Sequence, residues 1–214
     1  MGEFKFKNKL DITEEEQLQE VESYLTTLRA VELLEGKDFE LNPQYFRYIH
    51  FYLFQDLYDW AGKYRTVDIK KREKALNNIL CTYGSHENIR SKIEEVFNEI
   101  NNTDINKLNE EEKMNHAIDI MLKLWDCYPF LDGNTRTVNV FITKYCQALG
   151  FSYKNNLLLN NIGYVRNALI AASFEDQELG IKGNKSYLYK IMNDMFKNKE
   201  EKSKGREKVK ERIS

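Results

Sequence analysis

The chain carries the stretch YPFLDGNTR at residues 128–136, and an apolar run from Val138 to Tyr145 follows it directly. A carboxylate, a glycine, an amide and a guanidinium lie within five residues, at the start of a predicted helix. Backbone N–H groups at a helix N-terminus and the helix dipole both favour an anion at that point. The stretch therefore predicts a site for a phosphate group with its metal ion.

Three residues of this stretch suit that chemistry. Gly133 lets the backbone approach a ligand closely, and Arg136 can bind phosphate oxygens through two parallel hydrogen bonds. Asp132 can hold Mg²⁺ beside the phosphate, because Mg²⁺ is bound in proteins by one or two carboxylates together with substrate phosphates.

Outside this stretch, apolar residues recur at helical spacing through most of the chain, which predicts an all-α core. The helix after residue 136 is apolar nearly all round and is expected at the centre of the domain. The other predicted helices are one that begins at a capping box of Thr13 and Glu16, then Pro43 to Leu57, Glu87 to Ile100, Asn109 to Cys127, Ile162 to Glu175 and Ser186 to Phe196.

The segment from Arg65 to Tyr83 breaks the helical pattern. Two groups of β-favouring residues, Thr66 to Ile69 and Ile79 to Tyr83, flank the pair Asn77-Asn78. This predicts a β-hairpin with an open edge to which an extended peptide could add a strand. An irregular surface excursion between helices fits the same residues equally well.

Composition excludes several classes of protein. The net charge of −2 argues against a protein that wraps nucleic acid with its whole surface, and no apolar run reaches the length of a membrane span. The three cysteines show no metal-ligand spacing, so buried free thiols in a cytoplasmic protein are expected. Residues 197–214 hold eight Lys/Arg against four Glu and predict a frayed or disordered basic tail.

The 128–136 stretch resembles the signature of Fic-domain proteins, His-Pro-Phe-x-(Asp/Glu)-Gly-Asn-(Gly/Thr)-Arg-x-x-Arg. Three upstream stretches resemble the family as well, at residues 8–13, 49–54 and 58–65. The resemblance implies a Fic domain over residues 1–196: an all-α helical bundle with a short β-hairpin flap at about 65–83 and the motif at 128–139.

The resemblance also implies a function. Most characterised Fic proteins transfer AMP from ATP to a hydroxyl of a target protein with Mg²⁺, and the related Doc toxins phosphorylate their target. In this sequence Asp132 would position Mg²⁺, and Arg136 would bind the β/γ end of ATP and serve catalysis. The amides of Gly133, Asn134 and Thr135 would face the phosphates. The implied protein is bacterial and toxin-like, and its protein target would dock on the flap.

Two positions depart from the signature. Tyr128 replaces the histidine that acts as general base, and Asn139 replaces the second arginine. A tyrosine side chain ordinarily has a pKa of about 10 and is almost wholly protonated at pH 7, whereas histidine accepts a proton readily. Either His50 or His116 could substitute, although both lie on helical patterns. Two functions stay open: an unconventional or slow adenylyltransferase, and a catalytically inactive module that binds nucleotide or protein.

Many Fic proteins carry an inhibitory helix with the pattern (Ser/Thr)-x-x-x-Glu-(Gly/Asn), whose glutamate pairs with the second arginine. The pair Glu35-Gly36 comes nearest, but Val31 occupies its first position. The sequence therefore predicts no recognisable inhibitor within the chain. A separate small inhibitory protein, like an antitoxin, is the expected alternative.

Overall fold

The structure is a computed structural model that describes residues 7–153, 161–177 and 180–198. Most of these residues are helical. The helices are α1 Glu15–Glu35, α2 Pro43–Phe54, α3 Ile89–Asn102, α4 Glu110–Cys127, α5 Asn134–Ala148, α6 Ile162–Ser173 and α7 Ser186–Met195. The strands are β1 Lys70–Glu73, β2 Ile79–Thr82, β3 Phe151–Tyr153 and β4 Phe196–Asn198. The predicted all-α fold with a β-hairpin before the 128–136 stretch is confirmed.

Helix α5 forms the centre of the domain, as its sequence predicts. Every residue from 137 to 146 is buried, and α1, α2, α4 and α6 all pack against this helix. One of these buried residues, Lys144, donates hydrogen bonds of 2.8 Å to the carbonyl oxygens of Leu33 and Gly36. A cation is favourable at the C-terminal end of a helix dipole, so this contact fixes the end of α1 against α5.

The helix starts differ in how they are capped. In α4, Asn109 and Glu112 form a reciprocal capping box, and α2 begins with Asn42 as its cap and Pro43 in its first turn. The capping box predicted from Thr13 is wrong, because α1 begins at Glu15 and no side chain caps it. The preceding turn is fixed instead by Asn8, whose side chain bonds to the backbone at residues 10 and 12.

The hairpin lies within the predicted segment, but its first strand begins later than predicted. Strands β1 and β2 pair antiparallel from Lys70 opposite Thr82 to Glu73 opposite Ile79. Residues 66–69 precede the strand, and Ile69 is fully buried in the core. The turn is placed as predicted, since Asn77 and Asn78 both adopt left-handed backbone conformations.

The C-terminal part contains a feature that the sequence does not predict. Strand β3 follows α5 and pairs antiparallel with β4, so Phe196 belongs to a strand and not to the last helix. The predicted tail therefore begins inside β4, and its residues from 199 onward lie outside the described part. All three cysteines are buried and free, as predicted. Among the described residues, no helix has the length and apolar character that a membrane crossing requires.

Candidate nucleotide site

The 128–136 stretch forms the wall of a cavity of about 510 Å³. All six residues predicted for the site line it, namely Tyr128, Asp132, Gly133, Asn134, Thr135 and Arg136. The remaining lining comes from α1, from Tyr58 after α2, from the hairpin and from the start of α6. Its charged side chains include Glu22, Lys71 and Arg166. The structure thus unites every predicted site residue with side chains from four distant segments.

The backbone of the stretch places the N-terminal end of the next helix, α5, at this cavity. Helix α4 ends at Cys127, and Tyr128 follows it in a left-handed conformation, with φ 45° and ψ 58°. Helix α5 begins at Asn134, directly after Gly133, and no side chain caps it. Since the first intrahelical bond of α5 is donated by the N–H of Thr137, the N–H groups of residues 134–136 are left for a ligand.

Gly133 is required at this turn for two reasons. Its φ of 73° is one that residues with a side chain rarely adopt. A Cβ atom at this position would lie 2.3 Å from two ring atoms of Phe54, a buried residue of α2. The close approach fixes the depth at which the turn sits on the core.

The side chains of Asn134 and Thr135 serve the loop itself. Asn134 accepts a 2.9 Å hydrogen bond from the N–H of Phe130 and donates one of 2.8 Å to its carbonyl oxygen. The hydroxyl oxygen of Thr135 accepts a hydrogen bond of 3.1 Å from the indole N–H of Trp125. These two residues can therefore offer a ligand their main-chain amides, while their side chains hold the turn in place.

His50 holds the backbone of the 128–136 stretch in place and cannot act as the missing general base. Its Nδ1 accepts the N–H of Gly62 at 2.8 Å, so Nε2 carries the proton and donates to the carbonyl oxygen of Asp132 at 3.1 Å. The ring stacks on Phe130 at 3.8 Å between centroids. Burial lowers the pKa of His50 to about 3, which keeps the imidazole neutral. It is a positioning residue and not the catalytic substitute that the sequence left open.

The carboxylate of Asp132 lines the cavity at the start of α5. Its Oδ1 accepts the N–H of Gly133 at 2.8 Å, so this amide, which the sequence predicts to face the phosphates, is used within the turn itself. Over the described ranges, no group of three His, Cys, Asp or Glu side chains could hold a metal ion alone. A Mg²⁺ ion fits this donor set only when phosphate oxygens complete its coordination.

Arg136 already has an acidic partner in this structure. Its Nη1 donates to Glu22 of α1 at 2.6 Å, and both side chains are largely shielded, at 24% and 18% exposure. The other carboxylate oxygen of Glu22 accepts the hydroxyl of Tyr58 at 2.5 Å. Burial and this contact with Glu22 raise the pKa of Tyr58. Nothing in the sequence pattern marks Glu22, because it does not fit the inhibitory signature and lies 114 residues from Arg136.

Tyr128 is buried in the lining of the cavity, and its hydroxyl oxygen accepts a hydrogen bond. The ring packs on Tyr83 of the hairpin at 4.0 Å and edge-on against Trp125. Lys71 of β1 donates a hydrogen bond of 2.8 Å to the Tyr128 oxygen. Arg65, whose side chain is fully buried, donates to the Tyr128 carbonyl oxygen at 2.8 Å. These contacts tie the flap hairpin to the start of the motif.

The other departure, Asn139, lies away from the cavity. It is 1% exposed in the middle of α5, and neither its side-chain nitrogen nor its oxygen has a hydrogen-bond partner in the described part of the chain. It does not line the cavity. His116 is half-buried in α4, and it does not line the cavity either.

Comparisons with known proteins agree with this architecture. The model of the Fic/DOC family matches residues 40–146. The chain is 32% identical over 148 residues to protein adenylyltransferase VbhT of Bartonella schoenbuchensis, a match that covers 67% of this chain and 29% of VbhT. It is 28% identical over 159 residues to probable protein adenylyltransferase y4lH of Sinorhizobium fredii, which covers 73% of this chain and 78% of that protein. The chain therefore spans less than a third of the length of VbhT.

Solved structures show the same fold. The BepC protein of Bartonella tribocorum with bound AMPPNP aligns with a TM-score of 0.72 at 20% identity, covering 90% of this chain and 92% of the other. An N-terminal Fic domain from Bartonella quintana with bound ADP aligns with a TM-score of 0.74 at 22% identity, covering 91% and 92%.

Proposed function

The chain belongs to the Fic/DOC family, and on that premise we propose that it binds ATP with Mg²⁺ at residues 132–136 and transfers AMP to a hydroxyl of a target protein. The observation that carries the proposal is the convergence on one cavity of three features that suit a phosphate with its Mg²⁺ ion. These are the uncapped N-terminus of α5, the carboxylate of Asp132 and the guanidinium of Arg136. The relatives named adenylyltransferase and the nucleotide-bound structural neighbours support the choice of ATP.

Each residue has a defined task in this reaction. The amides of residues 134–136 would receive phosphate oxygens, and Arg136 would bind the β/γ end. Asp132 would hold Mg²⁺, which would stabilise the negative charge of the departing pyrophosphate. The target would add an extended segment to an open edge of the β1–β2 hairpin, which brings its hydroxyl next to Tyr128. The reaction would take place in the cytoplasm, where ATP and Mg²⁺ are supplied.

Tyr128 sets the expected rate. Loss of a general base costs about 10²–10⁴ in rate, so transfer by this chain is slow compared with a relative that retains the histidine. Glu22 also competes with the phosphates of ATP for Arg136, because it already accepts a hydrogen bond from Nη1 of the guanidinium. Since α1 supplies this carboxylate, a part of the chain itself would oppose ATP binding. A separate inhibitory protein would act in addition.

One observation favours a second candidate, a nucleotide-binding module without transfer. The Tyr128 oxygen accepts a hydrogen bond from Lys71, which gives the phenol a structural partner in the hairpin, and a phenol is a far weaker base than the imidazole of the signature. Binding of ATP without transfer to any target would then be the whole activity of the domain.

The two candidates are separated by transfer from α-phosphate-labelled ATP with Mg²⁺, on the chain itself and on a bacterial lysate. We expect Tyr128→His to label a protein at least about tenfold faster than the unchanged chain, since it restores a base. The control is Tyr128→His combined with Asp132→Ala, which should abolish the label. ATP binding with no label from either form would select the binding module. Absence of ATP binding in a folded chain would refute the site.

A further inference from the structure

We propose that Lys71 of the hairpin binds the α-phosphate of the nucleotide, and that the hydroxyl of Tyr128 positions Lys71 for this contact. The inference rests on nucleotide binding in the cavity described above and adds a phosphate ligand from the flap. It also gives Tyr128 a role that does not require it to accept a proton.

The first support is the direction of the Lys71 side chain. Along β1, Lys70 and Arg72 are exposed, whereas Lys71 is partly buried and lines the cavity. This alternation is that of a strand with one face on the protein. The Lys71 ammonium lies 2.8 Å from the Tyr128 oxygen and 4.9 Å from the centre of the Tyr128 ring. The lysine is thus held at the cavity wall by one defined contact.

The second support is the charge of Lys71. Burial by itself would lower the pKa of this ammonium, but the Tyr128 oxygen and the Asp132 carboxylate outweigh burial, and the pKa lies above its ordinary value. The side chain is therefore a cation at neutral pH. A partly buried cation is stable only where an opposite charge or good hydrogen bonds compensate its loss of water.

The third support comes from comparing the three cations of the cavity. Arg136 is paired with Glu22, and Arg166 is paired with the buried carboxylate of Glu73 at 2.9 Å. Within the described residues, Lys71 has no carboxylate within ion-pair distance, and its hydrogen-bond acceptor is the phenol oxygen of Tyr128. Among these three, Lys71 is the cation whose charge is left for an anionic ligand.

The position of Lys71 selects the phosphate. Tyr128 lies where the reacting phosphate meets the attacking group in the proposed reaction, and Lys71 is one hydrogen bond away from it. Arg136 lies beside Tyr58 and Glu22, at the part of the cavity that α1 covers. Lys71 and Arg136 should therefore bind different phosphates of one nucleotide.

The test is a binding series with adenosine, AMP, ADP and ATP, measured by calorimetry with Mg²⁺ on the whole chain. Lys71→Met should weaken AMP and ATP binding alike by about tenfold to 100-fold, the range of a charge-assisted hydrogen bond, and leave adenosine unchanged. Lys70→Met, on the exposed face of the same strand, is the matched control and should bind all four normally. Lys71→Arg should restore most of the affinity.

Two further variants complete the design. Tyr128→Phe should weaken AMP and ATP binding in the same pattern but less than Lys71→Met, because it frees the lysine without removing its charge. Arg136→Gln should weaken ATP and ADP but not AMP. Unchanged AMP and ATP binding by folded Lys71→Met, or an equal loss for adenosine, would overturn the inference. If ATP binding then still depends on Arg136, the proposed function stands; if the unchanged chain binds no nucleotide, both fall.

Discussion

Replacement of Glu22 by glutamine should make ATP bind more tightly while making the protein less stable. The reason is the contact between Arg136 Nη1 and Glu22 Oε1, which is 2.6 Å long and shielded from solvent on both sides. This carboxylate stabilises the nucleotide-free domain by pairing with the same guanidinium that the phosphates would need. A change that weakens the pair therefore acts on folding and on binding with opposite signs.

The magnitude follows from the kind of hydrogen bond involved. A hydrogen bond to a charged partner contributes about 1.5–3 kcal/mol, whereas a neutral partner such as glutamine contributes about 0.5–1.5 kcal/mol. The difference is about 1–1.5 kcal/mol. Since about 1.4 kcal/mol corresponds to a factor of ten, ATP affinity should rise roughly tenfold. The free energy of unfolding without nucleotide should fall by about 1 kcal/mol.

The assay combines ATP and AMP titrations by calorimetry with urea unfolding of the nucleotide-free protein. The gain should appear for ATP and be absent for AMP, because Arg136 is expected at the β/γ end. Glu20→Gln is the control, since Glu20 is exposed on the same helix and outside this cavity. ATP affinity that stays the same or falls in folded Glu22→Gln would refute the reasoning, as would an equal gain in Glu20→Gln.

Three further outcomes are expected. Gly133→Ala should lower the free energy of unfolding by at least about 2 kcal/mol, from backbone strain at φ 73° and from the contact with Phe54. Asn134→Ala should release the loop at Phe130 and lower ATP affinity together with stability, measured by calorimetry and urea unfolding. Because the pKa of His50 is lowered to about 3 by folding, its unfolded form binds the proton first, and stability should fall as pH decreases below about 6.5 toward 3, by up to about 1.4 kcal/mol per pH unit.

Each of these predictions has its own check. Gly163→Ala in α6 meets nothing within 4 Å, so it should be neutral or stabilising; equal losses at both glycines would show that the turn is not special. Asn134→Asp should recover little, because it keeps one acceptor but no donor, and full recovery would contradict the two-bond clamp. His50→Gln should flatten the pH dependence of urea unfolding, and an unaltered slope would exclude His50 as its source.

The turn that we propose to bind phosphate could be located from the sequence because its residues are adjacent in the chain. Asp132, Gly133 and Arg136 lie within five residues, and the apolar run after them marks the helix whose N-terminus faces the cavity. The helices follow from a repeat of apolar residues that each helix carries in its own sequence. The hairpin was harder to place, since Ile69 has the β-branched side chain of a strand residue but is used in the core.

The restraints on the site could not be predicted, because each joins residues far apart in the chain. Glu22 reaches Arg136 over 114 residues, His50 reaches Asp132 over 82 and Lys71 reaches Tyr128 over 57. A glutamate on an α-helix or a lysine on a strand is usually solvated. Neither residue type nor spacing therefore identifies these three residues as partners of the site. They are determined by how α1, α2 and the hairpin pack around α5.

The structure gives the tyrosine at residue 128 a contact that its residue type does not indicate. From the sequence, tyrosine in place of histidine means a loss of basicity. In the structure the phenol oxygen is the anchor of a lysine that enters the cavity. The second departure, Asn139, is buried and does not line the cavity. Its residue type alone therefore does not determine its effect on phosphate binding.

The central claim is that the turn at residues 132–136 binds the phosphates of ATP, and a crystal structure tests it most directly. The Glu22→Gln form should be crystallised with Mg²⁺ and a non-hydrolysable ATP analogue. We predict phosphate oxygens within hydrogen-bond distance of the amides of residues 134–136, Arg136 on the terminal phosphates and Mg²⁺ on Asp132. A nucleotide bound elsewhere, or an empty turn at saturating nucleotide, would contradict the account.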